Sequence, residues 1–262
     1  MMKLLTLNCH SWMEENQLEK ITTLAETIKE KSYDVIALQE VNQSIDAEII
    51  EGHIKKDNFA LVLLEELKQL GVNDYQFTWD FSHIGYDIYE EGVAFLTKHS
   101  IEETNAFFVS ESDDTNDWKT RKVIRIKLTI DNESMSFYSC HLGWWVDEAD
   151  PFKNQFDRLY RIAVKDEKFF LMGDFNNPAE IREKGYDYIM SYGLHDTYAL
   201  ANKRDSGITV AGNIAGWDQN KQDLRIDYIF SSTPVEVKES TVIFNGKNKP
   251  VISDHFGVEI TI

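Results

Sequence analysis

One stretch decides the fold of this 262-residue chain, Phe169-Phe170-Leu171-Met172-Gly173-Asp174-Phe175-Asn176-Asn177-Pro178. Its apolar first half predicts a buried β-strand, and the glycine that follows predicts a tight turn. A strand that ends in an aspartate or an asparagine directs side-chain oxygens into a cleft at the edge of a sheet. The stretch therefore predicts a central strand with a polar site at its end.

Two later stretches have the same character. Asp227 lies in Arg225-Ile226-Asp227-Tyr228-Ile229-Phe230, and His255 lies in Ser253-Asp254-His255-Phe256-Gly257. Each stretch places an acid or a histidine beside an apolar run. Three such clusters in one chain predict a shared site rich in oxygen ligands, which suits a hard divalent metal ion.

The composition is that of one domain that spans residues 1–262. Hydrophobic residues make up 42% and aromatic residues 12%, which is enough for a substantial core, and no linker or repeat marks a boundary. No apolar run reaches the roughly 18 residues of a transmembrane helix. The N-terminus predicts a short strand and lacks the pattern of a signal peptide. We therefore expect a cytoplasmic protein with no membrane partner.

The charge of the chain bears on its partners. The formal net charge is −18 and the pI is about 4.8. Such a surface repels polyphosphate backbones at long range, which argues against a nucleic-acid partner. A small anionic substrate is still allowed, because a bound cation inverts the local field. The two cysteines, Cys9 and Cys140, fit a reducing compartment, and each is expected to be a small buried group.

The hydrophobic pattern predicts an α/β (α+β) domain with mixed sheets. Strands are predicted at 3–7, 35–41, 75–79, 92–97, 122–130, 135–141, 169–172, 225–230, 235–244 and 255–262. Helices are predicted at 18–28, at 59–70 with Asn58 as N-cap, from Pro151 onward, and at 179–190. The Asp131-Asn132 turn predicts an antiparallel hairpin, and too few helices separate the strands for a doubly wound parallel sheet.

Taken singly, the polar strand ends allow two interpretations. Glu40 closes the apolar run Ala37-Leu38-Gln39-Glu40-Val41, where a carboxylate is either a metal ligand or a solvated strand end. His141 ends another strand and is either a site residue or a residue at the sheet edge whose hydrogen bonds are already made. Asp174 and Asn176 are either ligands or members of an Asx turn. Their joint occurrence at strand ends favours a site.

The Asp254-His255 pair needs a third residue. Adjacent side chains diverge, so His255 requires another carboxylate to fix its tautomer, and Asp227 is the natural candidate. A carboxylate-oriented imidazole acts as a general base or, when protonated, as a cation that faces phosphate.

These residues, in their order along the chain, resemble the endonuclease/exonuclease/phosphatase superfamily. The resemblance runs from Leu5-Thr6-Leu7-Asn8 to Ser253-Asp254-His255-Phe256-Gly257, and Glu91-Gly92-Val93-Ala94-Phe95-Leu96 resembles a middle strand of the family domain. Gly-Asp-Phe-Asn followed by Ser-Asp-His is specific in that order. The resemblance implies a DNase I-like fold, a four-layer sandwich of two mixed β-sheets flanked by helices.

The resemblance also implies Mg²⁺-dependent hydrolysis of a phosphoester, with Mn²⁺ as a substitute ion. It makes Glu40 the principal metal ligand, with Asn8 and Asp254 close by. Some nuclease relatives carry an acid two positions after the first asparagine, whereas this chain has His10, so a second metal ligand from that strand is in doubt.

Roles at the phosphate follow from the same resemblance. Asp174 positions or deprotonates the attacking water, and Asn176 holds that water or a phosphate oxygen. His255, oriented by Asp227, stabilises the phosphoryl oxygens, and His141 adds a hydrogen bond. Arg121 is placed where relatives carry an arginine near the phosphate.

Three substrate classes compete: a small phosphorylated metabolite, a sphingomyelin-type phosphodiester, and damaged DNA. The acidic charge disfavours DNA, and the lack of an export signal disfavours sphingomyelin. Trp144 and Trp145, directly after the His141 strand, favour a sugar, because flat aromatic faces cover the apolar face of a pyranose. The run from His141 to Gln155 resembles a bacterial branch that includes maltose 6′-phosphate phosphatases, so a phosphorylated sugar such as maltose 6′-phosphate is the expected substrate.

Overall fold

Two β-sheets pack face to face in the computed structural model, which describes residues 1–262, and helices cover both outer surfaces. The helices are α1 (Gln17–Lys31), α2 (Phe59–Gln69), α3 (Phe152–Ala163), α4 (Gly185–Met190) and α5 (Thr197–Leu200). The strands are β1 (Lys3–Asn8), β2 (Val35–Ser44), β3 (Ile49–Glu51), β4 (Ile54–Lys55), β5 (Gln76–Gly85), β6 (Tyr89–Thr97), β7 (Glu103–Phe108), β8 (Lys122–Ile130), β9 (Glu133–His141), β10 (Phe169–Asp174), β11 (His195–Asp196), β12 (Lys203–Arg204), β13 (Asp227–Ser231), β14 (Glu239–Ile243) and β15 (Gly257–Thr261).

Both large sheets are mixed. The seven-stranded sheet has the order β12-β14-β15-β1-β2-β6-β5, and the six-stranded sheet has the order β11-β13-β10-β9-β8-β7. The β1–β2 and β9–β10 pairs are parallel, and most of the other pairs are antiparallel. The mixed-sheet prediction and the four-layer, DNase I-like architecture are confirmed.

Alternation of side chains along the strands builds three apolar layers. The central layer lies between the sheets and contains Phe95, Phe137 and Phe170, each fully buried. A second layer packs α1 and α2 on the seven-stranded sheet, and a third packs α3 and α4 on the six-stranded sheet. The strands can therefore be apolar on both faces, and chemically active side chains have room only at the strand ends.

Local signals of the sequence are found where they were predicted. The side chain of Asn58 accepts hydrogen bonds from the backbone N–H groups of Ala60 and Leu61 at the start of α2. Asp131 and Asn132 both have positive φ in the turn between β8 and β9, as a type I′ hairpin requires. Cys9 and Cys140 are free and buried, as expected.

Several predicted boundaries are wrong. The helix predicted at 179–190 begins only at Gly185. The backbone before α4 is hydrogen-bonded to a distant segment, since Phe175 N–H donates to Ile226 O and Ala179 N–H donates to Arg225 O. These N–H groups are therefore not available for helical hydrogen bonds. The strand predicted at 235–244 begins at Glu239. Strand β7 was not predicted at all, because its exposed residues give a weak apolar pattern.

Candidate active site

Strand topology brings the polar clusters to one edge of the sandwich. Parallel β9 and β10 end side by side, with His141 opposite Asp174. Antiparallel β13 begins where β10 ends, so Asp227 is opposite Asp174. In the other sheet β1 ends at Asn8 beside β2, and antiparallel β15 begins just after His255. Residues far apart in sequence therefore meet above the same edge.

Glu40 reaches the site because β2 contains a bulge. The register against β6 shifts between Leu38 and Val41, and Glu40 has a φ of 49°, a left-handed conformation that is rare for glutamate. Its neighbour Gln39 points the other way and donates to Ser139 Oγ at 3.0 Å between the sheets. The bulge thus turns one carboxylate out of the strand alternation and into the site.

Asn8 links the two central carboxylates. Its Nδ2 donates to Glu40 Oε1 at 2.7 Å and to Asp174 Oδ2 at 3.2 Å. Asn8 is fully buried, and the backbone N–H of His10 donates to its Oδ1 at 3.2 Å. One amide therefore sets the spacing between an acid of the first sheet and an acid of the second.

Close backbone contact explains the glycine before Asp174. Gly173 has a φ of 145°, and a Cβ at this position would lie 1.9 Å from Cys140 O. Only glycine lets β9 and β10 approach so closely at their ends. Asp174 Oδ1 then accepts the backbone N–H of Asn176 at 2.8 Å, which orients its carboxylate.

Burial and the charges of neighbouring carboxylates make the two acids weak. Burial raises the pKa of Glu40 to about 8, and the charges of Glu91 and Asp254 add to the shift. Burial, with the charge of Asp227 adding, raises the pKa of Asp174 to about 7. A cation at this point would lower both pKa values, because it favours the charged carboxylates.

The two histidines of the site are held in opposite states. His255 Nδ1 lies 3.0 Å from Asp227 Oδ2, and its Nε2 lies 3.7 Å from Asp174 Oδ2. Burial opposes a charge on His255, but these two carboxylates outweigh it and hold its pKa well above the ordinary value. Burial, with the nearby charge of Arg121, holds the pKa of His141 well below it. The site thus offers one imidazolium and one neutral imidazole.

The donor set fits a divalent metal ion. Ligand atoms of Glu40, His141 and Asp174 all lie within 4.8 Å of one another, as do those of Asp174, Asp227 and His255. Two carboxylates supply most of the oxygen atoms of the first cluster, and carboxylate oxygens are ligands that Mg²⁺ and Mn²⁺ prefer. Asn8 lies beside them, with its Nδ2 toward the acids and its Oδ1 toward the backbone N–H of His10.

A cavity of about 360 Å³ opens over these residues. Arg121 lines it and is only 4% exposed. The guanidinium donates through Nη1 to Trp118 O at 2.8 Å, while its Nε has no partner. Trp144 also lines the cavity, packs edge-on against Trp118, and its buried Nε1 lacks a partner too. Two residues of the cavity lining thus each keep one buried donor without a partner.

Four of the predicted site residues, Asn8, Asp227, Asp254 and Trp145, are not part of the cavity lining, but Asn8 and Asp227 are hydrogen-bonded to lining residues. Asp254 is close enough to Glu40 for its charge to raise the pKa of that carboxyl, and it also clusters with His10 and Glu14, with its Oδ1 3.7 Å from His10 Nδ1. Trp145 packs against Phe152 and Tyr188 over the helical layer of the six-stranded sheet. The predicted residues that line the cavity or are hydrogen-bonded to its lining are brought together: Asn8, Glu40, Arg121, His141, Trp144, Asp174, Asn176, Asp227 and His255.

Part of the cavity lining was not predicted from the sequence. His83 and Glu91 are buried in the cavity wall, with His83 Nε2 at 3.3 Å from Glu91 Oε1 and His83 Nδ1 at 3.0 Å from Thr120 O. Glu91 was noted only as part of a strand, and no pattern singles out His83. The loop that carries Ala215 and Gly216 was likewise unassigned, yet both residues line the cavity.

Comparison with known proteins agrees with the fold. The model of the endonuclease/exonuclease/phosphatase family matches residues 10–255, and the chain belongs to this family. An endonuclease/exonuclease/phosphatase family protein from Leptotrichia buccalis C-1013-b has a similar structure, with 44% sequence identity and a TM-score of 0.94 over 100% of this chain and 99% of that one.

More distant structures share the fold. A mannosyl-6-phosphatase from Bacteroides thetaiotaomicron VPI-5482 is 18% identical, with a TM-score of 0.71 over 100% of this chain and 99% of that one. Truncated TDP2 from Caenorhabditis elegans is 18% identical, with a TM-score of 0.65 over 99% of this chain and 96% of that one. Comparison with curated protein sequences gave no match.

Family membership identifies the chain as a phosphohydrolase that acts on phosphoesters. The family generally depends on a divalent metal, and the clusters described above can hold one. None of the helices is both long and apolar enough to cross a bilayer.

Proposed function

We propose that the protein is a Mg²⁺-dependent phosphomonoesterase that removes phosphate from a phosphorylated sugar such as maltose 6′-phosphate, with Mn²⁺ able to replace Mg²⁺. The proposal places this reaction in the cytoplasm, in keeping with the two free cysteines. Neither nucleic acid nor a membrane is proposed as a partner.

One observation carries the choice of substrate class. The cavity beside the carboxylate–histidine cluster combines the aromatic side chains of Trp118 and Trp144 with the guanidinium of Arg121. A guanidinium suits a phosphate group, and an aromatic ring suits the apolar face of a sugar leaving group. At about 30 Å³ per water molecule, 360 Å³ holds on the order of twelve waters, which is the scale of a small metabolite rather than of a duplex.

The proposed chemistry uses the opposite states of the histidines. His255, protonated and oriented by Asp227, donates from Nε2 to phosphoryl oxygens as negative charge develops on them. Asp174, with a pKa of about 7, is poised near neutral pH to orient the attacking water and accept its proton. Neutral His141 contributes a hydrogen bond, and Asn176 donates an amide N–H beside Asp174.

Glu40, Asn8 and Asp254 are the residues proposed to hold the ion. When bound, the ion supplies Lewis-acid stabilisation of a phosphoryl oxygen and neutralises charge on the substrate. The carboxylates must lose their protons to bind it, so the raised pKa of Glu40 links metal affinity to pH.

A hydrolysis screen with Mg²⁺ tests the proposal. It compares phosphosugars, bis-p-nitrophenyl phosphate, sphingomyelin and abasic DNA, each with and without EDTA. We expect a phosphosugar monoester to have the highest kcat/KM, loss of turnover in EDTA, and recovery on addition of Mg²⁺ or Mn²⁺. A diester with the highest kcat/KM would overturn the monoester assignment, and full activity in EDTA would overturn the metal dependence.

A further inference from the structure

One loop of the cavity wall makes a side-chain hydrogen bond to a residue of the site. The Trp217 loop, residues 211–223, is closed at its base by an antiparallel bridge between Val210 and Leu224. Trp217 packs on a small cluster of its own, formed by Val210, Leu224 and Ile226. The loop thus has an apolar anchor separate from the three main layers, and its position relative to the site depends on few contacts.

The contact of interest is a hydrogen bond from the loop to Asn176. Trp217 Nε1 donates to Asn176 Oδ1 at 2.9 Å. At the other end of the same amide, Nδ2 donates to Leu142 O at 3.0 Å and lies 3.4 Å from Asp174 Oδ2. Asn176 is 5% exposed and has a φ of 50°, so its backbone is in a rare conformation and its side chain is held at both ends.

We propose that Trp217 is a positioning residue for the hydrolysis, acting through the Asn176 amide. With Oδ1 occupied from the loop side, only the amide N–H faces Asp174 and the cavity. A flipped amide would direct an acceptor toward the carboxylate and toward phosphate oxygens, and it would leave the indole N–H without a partner. Trp217 itself does not line the cavity, so its influence passes through Asn176.

A second contact ties the same loop to the wall that receives the leaving group. Gly216 lies against the Trp144 ring, and a Cβ at this position would come within 2.7 Å of Trp144 Cζ2. Gly216 has a φ of 77°. The loop therefore touches the proposed sugar wall at Gly216 and the reacting centre at Trp217, and it joins substrate recognition to the orientation of Asn176.

The inference rests on the proposed function in one respect: the kinetic test needs a phosphoester that the protein hydrolyses, and any such ester can be used. Trp217→Phe keeps an aromatic ring and removes the indole N–H donor. We expect kcat to fall about tenfold, the effect of one lost hydrogen bond, with KM changed less than twofold. In an Asn176→Ala background the same substitution should change kcat less than twofold. An unchanged kcat, or an equal tenfold loss in both backgrounds, would overturn the proposal.

A readout that needs no turnover separates this inference from the substrate assignment. In ¹⁵N NMR spectra, Trp217→Phe should shift the side-chain amide of Asn176 and speed its proton exchange at least about tenfold. Asn177 is the internal control, since its buried amide donates to Gly143 O and Phe175 O and makes no bond to the loop. Equal changes at both asparagines would indicate general loosening and would overturn the positioning role, as would no change at Asn176.

Two glycine substitutions within the loop test the contact between Gly216 and the Trp144 ring. Gly212 and Gly216 have similar positive φ, but a Cβ at Gly212 meets nothing within 4 Å. Gly216→Ala should raise KM at least threefold for the bulkiest ester turned over, whereas Gly212→Ala carries only the shared backbone strain. Equal effects of the two substitutions would remove the link between the loop and Trp144.

Discussion

The floor of the cavity and its wall are built in different ways. The floor consists of strand ends, where Asp174, Asp227 and His255 are each less than 5% exposed. His255 is hydrogen-bonded to Asp227, and Asp174 accepts hydrogen bonds from Asn8 and from the backbone N–H of Asn176. The wall also contains loops, where Trp118 is 53% exposed and Gly216 is held by a contact with one aromatic ring. The chemistry thus stands on the rigid sheets and the recognition on segments free to vary, a division typical of enzymes whose loops set specificity.

This difference predicts that floor substitutions remove activity without unfolding the protein. Asp174→Ala or His255→Ala should lower kcat by about 10²–10⁴-fold, because each removes a group proposed to act on the water or the phosphoryl oxygens. Thermal stability of Asp174→Ala should stay near the wild-type value, since burial disfavours the charged form of Asp174 in the folded protein. His255→Ala should cost some stability as well as activity, because it leaves Asp227 without its buried partner. Phosphate release and calorimetry measure the two effects.

The matched control is a buried carboxylate outside the site. Asp196 pairs with Arg225 at 2.8 Å and accepts from Tyr186. Asp196→Ala should lower the free energy of unfolding by about 3–5 kcal/mol, because it leaves a buried guanidinium unpaired, while kcat of the folded fraction stays near wild type. If Asp174→Ala loses as much stability as Asp196→Ala, Asp174 has a structural role.

Within the wall, the two adjacent tryptophans should behave differently. Trp144→Ala should raise KM for a disaccharide phosphate about tenfold and for p-nitrophenyl phosphate much less, since it removes the aromatic face and the free donor. Trp145→Ala should lower Tm instead, because Trp145 packs against Phe152 and Tyr188. Equal KM effects of Trp144→Ala on both esters would show that Trp144 does not contact the sugar.

The smallest expected effect is a pH dependence of stability in the metal-free protein. The folded pKa of Glu40, about 8, lies above its ordinary value of 4.5, so its contribution to stability is present at low pH and lost as pH rises through 8. Asp174 and His255 have shifts of the same sign. The depressed pKa of His141 makes stability rise with pH below about pH 6.5. The measurements of Tm are therefore compared from pH 6.5 upward.

Between pH 6.5 and 8.5 we expect Tm to fall, by about 2–4 °C for each kcal/mol lost. Mg²⁺ should raise Tm more at pH 8.5 than at pH 6.5, because it binds the deprotonated carboxylates. Glu40→Gln should flatten much of the pH dependence and reduce the Mg²⁺ effect. A metal-induced shift in Tm that is independent of pH would contradict the assignment of Glu40 as a ligand.

Sequence patterns predicted the floor of the cavity better than its wall. The motifs around Asp174 and His255 could be recognised because an acid at the end of an apolar run departs from the local pattern. Boundaries failed where backbone hydrogen bonds were made with distant segments, as at Ala179, which bonds to Arg225. His83 gave no signal, since a histidine in a strand is ordinary until its partners are known. Trp217 could be noted as an aromatic residue before the Asp227 strand, but nothing in the sequence linked it to Asn176.

By itself the sequence determined the apolar strands, the polar residues at their ends and the acidic surface, because each follows from the order of side chains along a short segment. Only the tertiary structure decided that the β2 bulge turns Glu40 toward Asn8, that Asp254 sits with His10, and that the Trp217 loop reaches Asn176. Such contacts join residues far apart in the chain, and their geometry is fixed by sheet register and packing, which no local pattern encodes.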